Sequence, residues 1–452
     1  MALLAIHNAL LVLAGGERHG GVVVGDDGRI EAVLDGARTA SAATVVDAHG
    51  RLLFPGFVDA HVHMREPGYT QKEDFTSGTL AAAAGGVTTV LCMPNTRPSI
   101  TDFPGLENAR RAAEARAAVD FGFQAGITRG NLTDLAGLWS AGVTSFEAFM
   151  ADVPDDDRLD TAEHLRAALA EVARCDAIVG VYCGAQSVIA AERTRLQRIG
   201  RNDVHAFAEA RPALNEVAGL ALLLEIAAAT GARIVVRQVS SGRGAALIRR
   251  AKADALCRLI AAEVTPHHLL LDRSALDRHG TAAQMLPPLR TPADNAALLA
   301  GLGDGTLDFV ASDHAPHAPA EKDRADAWSA ASGTPGLDTL VPAVLHCART
   351  ARLTWPLVAE ILAHRPAALF GLDKRKGRIA VGLDGDLVLV DPDATRTVER
   401  AMIRSRAGRS AFEGTTLVGW PVLTVLRGHV VAESGRPVLG HLRGRLVIRN
   451  AA

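Results

Sequence analysis

Lysine is nearly missing from this chain of 452 residues: of 48 basic residues all are Arg apart from Lys72, Lys252, Lys322, Lys374 and Lys376. Cysteine is also sparse. Cys92, Cys175, Cys183, Cys257 and Cys347 are odd in number, scattered and form no CxxC, which excludes a disulfide framework or a zinc ribbon and makes a reducing cytoplasm the expected setting. Net charge is only −2, from 48 basic and 50 acidic residues, so a nucleic-acid or polyanion partner is not expected. No apolar run approaches the ~20 residues of a membrane span, and no membrane association is expected. No GxGxxG follows an apolar run, so nothing indicates a dinucleotide site. The opening MALLAIHNALLVLAGG has no basic start and is broken by His7 and Asn8, so it reads as a first pair of β-strands rather than a signal peptide.

What the chain does have is 48% hydrophobic residues and a mean hydropathy of +0.14, enough to build a large core. Both ends are strand-and-turn: LLVLAG and GGVVVGDDGRIEAVL near the start, GRIAVGLDGDLVLVDP and TVLRGHVVAESGRPV near the end, with Gly-Gly and Asp-Asp-Gly supplying hairpin turns. Between about 52 and 371 short apolar runs (GVTTVLCM, AGVTSFEAFM, DAIVGVYC, GARIVVRQV, DFVAS) alternate with Ala/Leu-rich stretches of helical spacing. Strands alternating with helices mean βαβ units and a parallel sheet. Their number suits a (β/α)8 TIM-type barrel over 53–372, inserted in a small β-sandwich formed by 1–52 and 373–452.

Two motifs carry the chemistry. In Phe-Val-Asp-Ala-His61-Val-His63-Met-Arg65, the two histidines lie two apart at the end of an apolar strand, so both imidazoles face one side and can bind one metal ion. In Ser312-Asp313-His314-Ala-Pro-His317, also directly after an apolar strand, the Asp313 carboxylate can ligate metal and exchange a proton with water. His267 and His268 are expected to make structural hydrogen bonds, and His164, His205, His279 and His346 to lie in helices or loops.

With PGFVDAHVHMREPG, MPNT (93–96), EVTPHH (263–268), PPLR (287–290), SDHAPH and GRIAVGLDGDLVLVDP in this order, the chain resembles the cyclic amidohydrolases, nearest to dihydroorotase with hydantoinase and allantoinase next. The resemblance spans about 48–438 and implies the same barrel and sandwich. It also implies a site for two divalent metals: one held by HxH and the last Asp, the other by two later histidines, with a carbamylated Lys bridging them. His61, His63 and Asp313 match the first set. At the bridging position stands Glu147, and no Lys occurs between 72 and 252; a carboxylate can still serve a metal there. The two later histidines are replaced by Tyr182 and Gln238, which are poor zinc ligands.

The expectation is therefore one divalent metal ion, Zn or else Mn, Fe or Co, held by His61, His63, Glu147 and Asp313. Asp313 would be the proton carrier, and Tyr182, Gln238 and Arg237 the candidate oxyanion donors. In this family the Arg after HxH, the Asn of MPNT and the last His of DHAPH hold a substrate carboxylate, which assigns Arg65, Asn95 and His317 here; Leu286 stands where a further Asn would contact the ring. The expected activity is hydrolysis or formation of the C–N bond of a cyclic amide bearing a carboxylate, by a homo-oligomer (dimer or tetramer). Two alternatives remain: a catalytically silent paralogue that partners aspartate carbamoyltransferase, and a hydantoinase- or allantoinase-like ring opener.

Overall fold

The computed structural model describes residues 2–114, 116–254, 260–438 and 443–450; Cys257 lies outside them. Five strands open the chain: β1 (Leu4–Leu13), β2 (Gly16–Val24), β3 (Ile30–Asp35), β4 (Thr44–Asp47) and β5 (Leu52–Pro55). Eight follow in the middle: β6 (Phe57–Val62), β7 (Val87–Cys92), β8 (Asp120–Gly126), β9 (Ser145–Phe149), β10 (Ile178–Tyr182), β11 (Arg233–Arg237), β12 (Ile260–Val264) and β13 (Phe309–Val310). The chain ends with β14 (Leu387–Thr397), β15 (Thr416–Leu426), β16 (His429–Glu433) and β17 (Arg436–Pro437).

The middle strands pair in parallel and in sequence order from β6 to β13. Val62 bridges His314, and His63 N donates to the His314 carbonyl at 2.8 Å, bringing the two ends of the sheet together. This is the expected (β/α)8 barrel. Strands such as VTTVLC and IVGVY are buried along their whole length because helices cover one face and the barrel interior the other. The first and last groups of strands form a separate nine-stranded sheet in the order β17-β16-β15-β14-β5-β1-β2-β3, with β4 on β1, around a core that includes Leu4, Ile6, Val22, Val24, Leu387 and Val425. The chain passes from this sheet into the barrel at Gly56, where a Cβ would fall 2.2 Å from Thr88 Oγ1.

At the N-terminal end of the barrel, Lys376 is buried among Asp120 of β8, Asp384 and Asp386, with Nζ 2.6, 2.9 and 2.6 Å from their carboxylates. Arg427 of the terminal sheet also pairs with Asp120. The three carboxylates would suit a cation, and the lysine supplies it. Charge at this end of a barrel serves stability rather than chemistry.

The stretch 204–230 departs from expectation: it is long and apolar enough on composition alone to cross a membrane, with a mean hydropathy of 1.5. It is broken at Ala210-Arg211-Pro212 into two helices. The longer, 213–230, buries Leu220, Leu223, Leu224 and Ile226 and packs on the helix 162–174 and on β11, as a helix of the outer ring does.

Candidate active site

The HxH strand delivers its histidines to the C-terminal mouth of the barrel. His61 Nε2 and His63 Nε2 each lie 3.3 Å from Asp313 Oδ1. Behind His61, Nδ1 lies 2.7 Å from Glu263 Oε1, which fixes the proton on Nδ1 and leaves Nε2 as a lone pair. That lone pair faces Asp313 Oδ1, a buried acceptor without a hydrogen-bond partner. Acceptor facing acceptor needs a proton or a cation between. Burial works against a charged His61, yet Glu263 and Asp313 outweigh it and hold its pKa above the ordinary value. Burial pushes Asp313 up to about 6, with His61 pulling the other way. His63 is pushed down, by burial and then Arg65, so it presents neutral imidazole. Two imidazole nitrogens and one carboxylate oxygen within 4.8 Å of one another fit a single divalent ion.

Glu147 is not part of this cluster, contrary to expectation. Its carboxylate is engaged by Arg237, with Nε at 3.1 Å from Oε2 and Nη2 at 2.5 Å from Oε1, and by Ser145 Oγ at 3.0 Å. Arg237 likewise is no oxyanion donor. Its remaining N–H groups go to Glu263 Oε2, the Ala60 carbonyl and Gln124 Oε1, so five donors meet five acceptors in a fully buried site. Burial disfavours its charge, but Glu147 and Glu263 more than compensate and raise its pKa further.

The other two proposed donors are also committed. Gln238 Nε2 donates to Asp313 Oδ2 at 2.5 Å and to the Leu286 carbonyl at 3.0 Å, which makes it a holder of Asp313. Tyr182 OH donates to Asp152 Oδ2 at 3.1 Å, and Asp152 is paired in turn with Arg211. Burial, then Asp152, keeps the Tyr182 phenol protonated, well above its ordinary pKa. Gln238, Asp313 and Arg65 have φ of 52°, 46° and 60°. Such left-handed backbone costs non-glycine residues on the order of 1–3 kcal/mol each and clusters at functional sites.

Arg65, Asn95 and His317 do converge on one side of the mouth, lining a cavity of about 230 Å³ with His61, His63 and Asp313. Arg65 Nε donates to the Pro316 carbonyl at 3.3 Å, and Asn95 Oδ1 is buried without a partner. His317 differs from its expected role. Its Nδ1 lies 3.3 Å from Lys72 Nζ, and its Nε2 lies 3.3 Å from Arg65 Nη2 and 2.9 Å from the Ser332 carbonyl. Both cations can only donate, and the shorter contact to the one acceptor places the proton on Nε2, donated to Ser332. Burial, then Arg65 and Lys72, pushes its pKa down to about 2, and both ring nitrogens are already used. Among the residues lining the cavity the positive charge is that of Arg65, while Lys72 behind His317 pairs with Glu321 at 3.0 Å. The lining also includes Phe149, Ala151, Val153, Tyr182 and Leu286, of which Phe149, Ala151, Tyr182 and Leu286 belong to one apolar cluster.

Glu263 and Lys72 were not singled out from the sequence. Glu263 opens the EVTPHH motif, and Lys72 is one of only five lysines in the chain. His268 makes the expected structural bonds, to Thr265 Oγ1 at 2.7 Å and the Pro287 carbonyl at 3.2 Å, whereas both ring nitrogens of buried His267 lack partners.

Residues 52–431 match the amidohydrolase family. Among curated proteins the chain is similar to a dihydroorotase of Methanosarcina mazei, 37% identical over 417 residues and 90% of each chain. It is also similar to an L-hydantoinase of Paenarthrobacter aurescens, 31% identical over 451 residues, 98% of this chain and 97% of that one. Among solved structures, an L-hydantoinase (dihydropyrimidinase) from Arthrobacter aurescens superimposes with a TM-score of 0.95 at 30% identity, covering 99% of this chain and 100% of that one. A D-hydantoinase superimposes with a TM-score of 0.92 at 27% identity, over 100% and 99% of the two chains.

Proposed function

The chain belongs to the amidohydrolase family, as a cyclic amidohydrolase of the dihydroorotase and hydantoinase type, and on that premise we propose that it opens or closes the C–N bond of a small cyclic amide bearing a carboxylate, with one divalent metal ion per subunit. The observation that carries this reading is the unpartnered Asp313 Oδ1 faced by the Nε2 atoms of His61 and His63. Those three residues would hold the ion. Zn suits the set, and Mn, Fe or Co do so about as well. When bound, such an ion polarises an amide carbonyl and makes water acidic enough to yield hydroxide near neutral pH.

The chain's own residues do the rest. Gln238 holds the Asp313 carboxylate in place through Oδ2. Asp313 takes the proton from the attacking water and returns it to the leaving ring nitrogen. Arg65 offers a planar fork to the substrate carboxylate, and Asn95 fixes the ring beside it. Phe149, Val153 and Leu286 in the lining exclude water from the apolar part of the cavity. The working form is proposed to be a cytoplasmic homo-oligomer; Cys92, Cys175, Cys183 and Cys347 are free thiols.

The alternative, a silent partner of aspartate carbamoyltransferase, draws support from Tyr182, Gln238 and Arg237 all being tied to protein acceptors. One experiment separates the two. Protein purified without chelators is analysed for metal and assayed, loaded with Zn²⁺ or Mn²⁺, on dihydroorotate, carboxylated hydantoins and allantoin, with Asp313→Asn as control. The hydrolase reading expects one ion and ring opening that Asp313→Asn abolishes. No ion after loading, and no turnover, would leave the partner reading.

A further inference from the structure

The barrel core beneath the mouth already contains a cation. Arg237, at the end of β11, lies between Glu147 of β9 and Glu263 of β12, and Glu263 reaches His61 with its other oxygen. Four strands thus contribute to one chain of contacts, Glu147–Arg237–Glu263–His61. The site is shaped for it. Gly180 of β10 faces the guanidinium, and a Cβ there would lie 2.3 Å from both Arg237 Nε and Glu147 Oε2. Gln124 adds an acceptor and is itself held by the Ala60 and Leu91 carbonyls at 3.0 and 3.2 Å.

We propose that Arg237 is a built-in cation standing where Glu147 and Glu263 would otherwise hold a second divalent ion, and that through Glu263 it positions His61, so that the centre takes one ion and no more. This rests on the metal-binding reading above. With Arg65 set against the substrate carboxylate it faces, Glu147, Glu263 and Asp313 against Arg237 leave two negative charges, which one divalent ion neutralises, while a second would leave two positive charges in a buried site. Glu263 is a positioning residue. It orients an imidazole whose other nitrogen faces the ion, a role whose loss typically weakens metal binding about 10–100-fold.

Co²⁺ binding tests this without reference to turnover. Apoprotein of the full chain is titrated with Co²⁺, followed by its visible absorption and by elemental analysis after dialysis, with folding checked by circular dichroism. Wild type is expected to hold one ion and Arg237→Met two, because removing the guanidinium releases a pair of carboxylates. Glu263→Gln is expected to weaken Co²⁺ binding about 10–100-fold and to alter the absorption bands. Glu147→Gln, which loses the same kind of contact to Arg237 without touching His61, is expected to leave Co²⁺ affinity within about threefold.

A folded Arg237→Met that still holds one ion overturns the proposal while the one-metal reading stands. If Arg237→Met does not fold, the Glu pair decides: equal effects of Glu263→Gln and Glu147→Gln, or none from either, overturn it. A wild-type chain that binds no Co²⁺ defeats the metal-binding reading and this inference together.

Discussion

Gly180 presents its bare α-carbon to Arg237: a Cβ at that position would stand 2.3 Å from the guanidinium Nε. The glycine is therefore required by the buried ion pair rather than by its own backbone. Gly180→Ala should cost about 3 kcal/mol, since overpacking a core typically costs about 1–3 kcal/mol and breaking a buried pair about 3–5 kcal/mol. Urea unfolding checks this, and a loss below about 1 kcal/mol would show that the pair moves aside freely.

Arg65 supplies the charge facing the proposed carboxylate. Burial lowers its pKa to about 10, so it remains charged at neutral pH. A charged hydrogen bond contributes about 1.5–3 kcal/mol, so Arg65→Met should raise KM for carboxylated rings about 10–100-fold. For rings without a carboxylate the change should stay within about threefold. Equal effects on both classes would remove Arg65 from the substrate site.

Tyr182 was expected from the sequence to be an oxyanion donor whose loss would cut the rate about 10²–10³-fold. With its hydroxyl donated to Asp152, Tyr182→Phe should instead lower kcat less than about tenfold and destabilise the fold by about 1 kcal/mol. A hundredfold fall in kcat with unchanged thermal stability would restore the catalytic role.

Lys322 is buried beside the mouth, with Nζ 2.8 Å from the carbonyls of Gln284 and Gly333. Burial lowers its pKa from 10.5 to about 7. Between those values the unfolded chain binds a proton that the folded chain does not, so stability rises with pH across that window. As pH falls through 7 this contribution is lost. Relative to Lys322→Met, wild type should therefore gain stability from pH 7 to pH 10, by up to about 1.4 kcal/mol per pH unit. Parallel denaturant melts at the two pH values would show a constant difference if the lysine titrates normally.

Local pattern was enough for the architecture. Alternating apolar strands and Ala/Leu helices allow few closed solutions, and HxH at a strand end places two imidazoles together by the period of a β-strand alone. Asp313 was likewise legible, because its strand ends where the barrel closes. The state of the centre was not legible. Whether Glu147 faces a metal or an arginine depends on Arg237, 90 residues away, reaching across the barrel interior with room left by Gly180. Glu263 acquires its role only by lying opposite His61, 202 residues distant. His317 loses its donor to Ser332 because Lys72 folds against its other nitrogen. Strand ends are set by neighbours in sequence, whereas hydrogen-bond partners in a barrel core come from every strand at once, and only closure of the barrel selects them.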